Sequence, residues 1–302
     1  MAGFLSGSSA MTVLTVEKPE AFSMDRLRSE AFKDEGPLGE ARFGFVGMGD
    51  PFDAENFSLA LCDGELSGFS FRVDEQKPSA SAVKLEVEKR IIRTKETSGK
   101  KYVSRKTRRK IAESVYREFK ADAPFSSTVV DCIWDEKKKR LYASTTNKKL
   151  LEGLQISFYR AFGMSPEIFL PSDEMLIPQR FQGLARGWDL LQKYEVAPMG
   201  DAVLVGEPEE DGRPVVSVKD SHSLMDHALE SSMDIVKIRL AARVVGTLNT
   251  AFAFTINQKL AISGLRFPKP EKGQAQEATF VINAAICQSA ADIVEIIANA
   301  SQ

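Results

Sequence analysis

The stretch TVVDCIWDEKKKRLYASTTNKKLLEGLQISFYRAF, residues 128–162, decides the fold class. β-branched and aromatic residues run through 128–134 and 140–145, and the charged segment 135–139 between them reads as the turn of a hairpin. From Asn147 the apolar period lengthens to that of a helix over 147–162, with Leu150, Leu151, Leu154, Phe158 and Phe162 on one side to pack behind the hairpin. Strands and helices that come in runs rather than in strict alternation point to the α+β class.

Working outward toward the N-terminus, the pattern predicts a strand over 11–16 and a short helix after Ser23 that ends near residue 36. Strands follow at 41–46, 57–62 and 69–73, the last two joined by the turn dipeptide Asp63-Gly64. After Lys77-Pro78-Ser79 two helical stripes succeed one another, Val83, Val87, Ile91 and Ile92 and then Ile111, Val115, Tyr116 and Phe119, with a polar basic connector between them and Pro124 as the stop. Beyond residue 162 the sequence predicts a helical stretch over 179–192 and strands at 202–206 and 215–219 around a Gly/Pro/acid loop. A short helix near 224–231 comes next, and then a meander of 235–245, 250–256 and 260–267. A strand over 279–283 and a helix to residue 300 close the chain. The expected organisation is several antiparallel sheets with packed helices, in units 1–76, 77–170 and 171–302.

The 302 residues are 43% hydrophobic and 27% charged, which excludes a disordered or fibrous chain. Three cysteines, Cys62, Cys132 and Cys287, show no CxxC spacing and read as buried reduced thiols of a cytosolic protein. The two histidines, His222 and His227, lie on different faces of a helix and lack a third ligand, so no metal site is expected. Asp220-Ser221-His222 is consecutive and cannot form a triad, and there is no GxSxG elbow. Gly44-Phe45-Val46-Gly47-Met48-Gly49 matches neither a dinucleotide fingerprint nor a P-loop and reads as a strand ending in a glycine turn. No catalytic residue and no cofactor is expected. The N-terminus lacks the basic start of a secretory signal, and Asn283, Gln288, Asp292 and Glu295 interrupt the apolar stretch 279–300, so no membrane span is expected.

Charge carries the strongest functional signal. The formal net charge of -2 argues against a nucleic-acid partner, yet residues 84–120 hold 14 basic side chains against five acidic ones, a net of +9, which leaves the rest at -11. Arg105, Lys106, Arg108, Arg109 and Lys110 open the second of the two helices, where the macrodipole is already positive. Each such charge costs about 0.3–1 kcal/mol there, a penalty that a bound polyanion removes. Aromatic residues are not expected to interleave with these charges, so backbone-directed duplex binding fits better than stacking on single strands.

The order of features resembles the bacterial recombination-associated protein RdgC family over nearly the whole chain. The likeness rests on Gly44-Phe45-Val46 in the early sheet, Lys77-Pro78-Ser79 before the first long helix, and the basic connector with a second helix ending in Pro124-Phe125. Trp134-Asp135 and Ala143-Ser144 in the hairpin, the loop near Lys219, and Val236-Lys237 in a late strand continue it. The resemblance implies a horseshoe monomer that forms a ring homodimer around double-stranded DNA. It also implies a cytoplasmic, nucleoid-associated, non-enzymatic role in restraining the RecA recombinase by occupying DNA, with no membrane and no small-molecule substrate. It places Phe125 at one dimer contact and Lys219 at the other, beside the DNA. The family's aromatic and basic start is replaced here by Gly3 to Ala10.

Three functions stay open on these residues. In a sequence-independent DNA-binding dimer, Arg105, Lys106, Arg108, Arg109 and Lys110 are the principal phosphate contacts, with Lys84, Arg93, Lys100 and Lys101 in support. A protein-interaction module would dock an acidic partner on the same helices. A metal-dependent nuclease would need clustered carboxylates, which the sequence does not offer.

Overall fold

The computed structural model describes residues 3–5, 7–16, 22–35, 41–55, 57, 59–61, 65–99, 101–170, 177–185, 190–191, 194–206, 214–219, 226, 230, 233–244, 252–270 and 273–299. The class is α+β, as the hairpin-plus-helix stretch indicates. The strands do not divide into several sheets. They join in one sheet of 13 described strands, ten of them in a continuous path, and the strand pairs are all antiparallel.

The joint is β1 (Ser8–Thr15). Its first half pairs with β13 (Ile262–Arg266) and its second half with β6 (Arg140–Ala143) and β7 (Glu167–Ile168), with an irregular register between Ser9 and Met11. An irregularity of this kind bends a strand, so one strand serves both halves of the sheet. On the C-terminal side of β1 lie β13, β12 (Phe252–Asn257), β11 (Asp234–Val244), β9 (Tyr194–Val205) and the edge strand β10 (Val215–Val218), with β8 (Leu190–Leu191) paired to β9. On the other side lie β6, β5 (Phe125–Asp135), β4 (Leu66–Gln76) and β2 (Arg42–Val46), with β3 (Leu59–Leu61) paired to β4.

Side chains alternate across this sheet and build two cores. Phe69 and Phe71, Val130, Cys132 and Trp134, and Leu141 and Ala143 face one side, where α4 (Lys148–Phe162) lays down Leu151, Leu154, Phe158 and Phe162 and α1 (Met24–Ser29) adds Leu27. Each valine, leucine and phenylalanine among them contributes about 1.5–3 kcal/mol by leaving water. Met11, Val13, Ile133 and Tyr142 face the other side and share a core with the C-terminal strands, α5 (Ile177–Ala185) and α6 (Gln276–Asn299). Ser23 and Asn147 cap α1 and α4 as their positions suggest. The first helix stops at Ser29, short of residue 36, because the chain turns back to bridge β2 through Phe32 N–H to the Phe45 carbonyl (2.8 Å).

The strand expected over 279–283 is helix. Thr279, Phe280, Val281 and Ile282 favour β structure locally, yet Phe280, Asn283, Ala284 and Cys287 fall on one helical face buried against the sheet, and that tertiary contact wins. By length and composition alone α6 could cross a membrane, with a mean hydropathy of 1.6 in its most apolar window. The polar residues that interrupt its apolar run bond within the fold: Asn283 Nδ2 donates to the Phe4 carbonyl (2.6 Å), Gln288 Nε2 to Asp135 (2.8 Å), and Asp292 accepts from the Tyr194 hydroxyl (2.8 Å). Glu295 pairs with Arg140 at 2.6 Å. The helix expected over 179–192 ends at Ala185, and β9 begins as early as Tyr194. The Asp63-Gly64 turn, the 207–213 loop, Cys62, His222 and His227 lie outside the described residues.

Candidate nucleic-acid interface

β4 and β5 pair without interruption from Leu66↔Asp135 to Gln76↔Phe125, and the chain between their ends forms a helical hairpin. Its outgoing helix is α2 (Ala80–Ser98) and its returning helix α3 (Arg105–Ala121). Among the described residues α2 buries no side chain and α3 buries only Val115, so the pair stands off the sheet as an arm about 28 Å long. Each helix starts on a serine whose hydroxyl accepts a backbone N–H, Ser79 from Ala82 and Ser104 from Thr107. Gly99 closes α2 at φ 62°, a left-handed position that suits glycine.

The base of the arm is fixed. Gln76 Nε2 donates to the Ala123 carbonyl at 2.9 Å, and the Arg42 guanidinium lies 4.3 Å from the centre of the Phe125 ring. Arg72 makes a two-pronged contact with Asp74 (2.9 and 2.6 Å) and stacks on Phe32 at 4.1 Å. Burial pulls the Asp74 carboxyl upward, but hydrogen bonds from Arg72 and Ser127 outweigh it and hold the group below the usual carboxylate range.

The two helices are pinned midway. Arg90 on α2 donates to Glu118 on α3 at 2.9 and 2.6 Å and to Glu86 at 3.1 Å. The Arg90 hydrogen bonds, helped by the Ser114 hydroxyl, hold the Glu118 carboxyl down at about 2. Arg109 pairs with Glu113 at 2.8 Å. Three of the five acids in 84–120 are therefore spent on the arm's own cations.

A second group of cations stays open to solvent. Lys84, Arg93, Lys101, Arg105, Lys106, Arg108 and Lys110 are all exposed and, among the described residues, none has a carboxylate within ion-pair distance. Arg105 to Lys110 occupy the first two turns of α3 at the far end of the arm, with Lys101 in the connector and Arg93 on the distal half of α2. Lys84 lies nearer the base, and Lys100 is outside the described residues. No family model and no curated protein matches this chain. The physical case for a function therefore rests on the arm.

Two expected site residues stand apart from the cation group. Phe125 is at the base, half-buried under Arg42. Lys219 is exposed just beyond β10, at the opposite edge of the strand path from β4 and β2.

Aromatic side chains do interleave with the charges, contrary to the expectation from sequence. Tyr102 in the connector is 81% exposed, and Tyr116 is exposed on α3. A lone tyrosine in a Gly-Lys-Lys-Tyr-Val-Ser connector was the available signal. The cysteines Cys132 and Cys287 are buried, and burial pushes both thiols well above their ordinary range, so neither is a ready nucleophile. Among the described residues no group of three or more His, Cys, Asp or Glu side chains is placed to hold a metal ion.

Proposed function

We propose that this chain is a sequence-independent double-stranded DNA-binding protein, similar to the RdgC family, that acts without catalysis. The observation that carries the reading is the set of exposed cations on the outer half of a projecting arm, none paired with a carboxylate among the described residues: Arg105, Lys106, Arg108 and Lys110, with Arg93 and Lys101 beside them. Long cationic side chains held off the sheet reach phosphates without steric conflict, and each neutralised phosphate releases counterions. The -11 carried by the rest of the chain keeps other surfaces away from DNA.

In the finer form of the proposal a horseshoe-shaped subunit closes with a second copy into a ring, through a contact near Phe125 and another near Lys219. The position of these residues at different ends of the strand path supports two separate contacts per subunit. Occupied DNA is then withheld from RecA-dependent recombination at the nucleoid.

Replacing Arg105, Arg108 and Arg109 together by glutamate lowers affinity for unrelated duplexes alike; unaltered affinity sinks the assignment. Native mass gives the ring its own test, since a stable monomer is incompatible with it. A second reading has one observation in its favour: Leu85 and Ile92, seven residues apart on α2, are 57% and 55% exposed. On that reading the arm docks an acidic protein, and duplex titration at moderate salt shows no saturable binding.

A further inference from the structure

Tyr102 and Phe52 are the two most exposed large apolar side chains among the described residues, at 81% and 82%. They differ in their surroundings. Phe52 has the Arg72 guanidinium 5.4 Å from its ring centre, whereas Tyr102 has no ring, cation or hydrogen-bond partner among the described residues. The ring stands in the connector at the outermost point of the arm, next in sequence to Lys101 and three residues before Arg105. Both cations are exposed and, among the described residues, without a carboxylate in ion-pair distance. Folding leaves this ring in water at the tip of the arm.

We infer that Tyr102 is a base-stacking residue, and that it gives the arm a preference for DNA with unstacked bases, such as a single-stranded gap, over intact duplex. The inference rests on the DNA-binding reading above and adds the substrate class. An exposed base offers a free π-face, and an aromatic ring stacks on any of the four bases while flanking cations hold the phosphates. In an intact duplex both faces of every internal base are taken, so away from the ends the same ring must first unstack a step. The position of the cations just behind Tyr102 on α3 lets phosphate binding and stacking act together. A membrane surface is less well matched, because the neighbouring Val103 is half-buried and one tyrosine offers little apolar area for insertion.

The test measures wild type, Tyr102→Ala, Tyr102→Phe and Tyr102→Trp in the full chain against a 40-base-pair duplex and the same duplex carrying a four-nucleotide gap, about the footprint of a small single-strand site. Wild type favours the gapped DNA. In Tyr102→Ala the ratio of gapped to intact affinity falls about five-fold or more, the value of one base–aromatic stack. Tyr102→Phe keeps the ratio, and the indole fluorescence of Tyr102→Trp is quenched more by gapped than by intact DNA. Equal ratios in wild type and Tyr102→Ala overturn the inference and leave the DNA-binding reading standing. Wild type that binds neither DNA overturns both. Loss of binding to phosphatidylserine vesicles in Tyr102→Ala, with unchanged DNA ratios, assigns the ring to a membrane and overturns it as well.

Discussion

Arg90 and Glu118, 28 residues apart in sequence, face each other across the two arm helices, the two terminal guanidinium nitrogens each donating to one carboxylate oxygen, at 2.9 and 2.6 Å. Glu86 takes the third guanidinium nitrogen at 3.1 Å. Among the described residues only Val115 of the arm is buried, so this contact joins α2 and α3 alongside their half-buried apolar residues Val87, Ile91, Ile111 and Phe119.

The first prediction follows from the Glu118 carboxyl, held at about 2 against an ordinary 4.5 by the Arg90 hydrogen bonds. A depressed carboxyl stabilises the folded form fully above its unfolded value and loses that contribution as pH falls through the folded one. Protection of the arm amides against hydrogen exchange, corrected for intrinsic rates, is expected to decline from about pH 4.5 toward pH 2. Glu118→Gln should lack this pH-dependence and show the low protection throughout. Added salt should narrow the difference between the two, since the pair is open to solvent.

A second prediction concerns Glu113, which holds Arg109 at 2.8 Å on the face that carries the free cations. Glu113→Gln releases Arg109 and raises the arm's charge by one. If Arg109 then reaches a phosphate, the log–log slope of DNA affinity against salt steepens by about 0.9 and low-salt affinity rises. A titration series between low and moderate salt reads both quantities; a slope identical to that of wild type removes Arg109 from the contact set.

Much of this architecture was legible before any coordinates. The β5–β6 hairpin, α4 with its Asn147 cap, and the β11–β12–β13 meander follow from apolar period and turn chemistry alone. The outer ends of β4 and β5 were not, because Glu75, Gln76, Ser126 and Ser127 are polar residues that extend the ladder past the α4 core to carry the arm. Nor could sequence show one sheet in place of several, since the joint is made by the backbone of β1 pairing on both sides. The cations of the candidate site were visible as a charge count. Which of them stay free depended on the Arg90 and Arg109 ion pairs, and the exposure of Tyr102 depended on where the connector sits.

The third prediction tests how α6 seats on the sheet. A Cβ built on Gly68 of β4 meets the Phe280 ring of α6 at 2.7 Å and the Met48 sulfur at 3.1 Å. Phe280 is fully buried, so its ring can shift only by displacing its neighbours. Gly68→Ala is therefore expected to destabilise the fold by about 1–3 kcal/mol through overpacking. Gly44→Ala should do so too, because there the Cβ meets the Phe32 backbone at 2.5 Å. Urea unfolding reads both; a midpoint unchanged in either variant contradicts the packing described.

The last prediction concerns the N-terminal residues, which Asp131 of β5 holds in place. Its carboxylate accepts the Phe4 N–H at 2.8 Å and the Ser70 hydroxyl at 2.8 Å, while Asn283 of α6 binds the Phe4 carbonyl at 2.6 Å. Asp131→Ala leaves the Phe4 N–H without its acceptor and should cost about 2–4 kcal/mol in urea unfolding, given that a buried orphaned group costs about 1–3 kcal/mol and more where a charged partner is lost. Burial pushes the Asp131 carboxyl above its ordinary 3.8, against the opposing pull of Ser70, Phe4 and Leu5. A raised carboxyl has the opposite sign to Glu118: its charged form burdens the fold above the folded value, and stability is regained as pH falls from there toward the unfolded one. Measured against Asp131→Asn, which cannot titrate, wild type should therefore gain stability as pH falls from neutral toward about 4. A difference between the two that stays flat over that range refutes the assignment of the shift to Asp131.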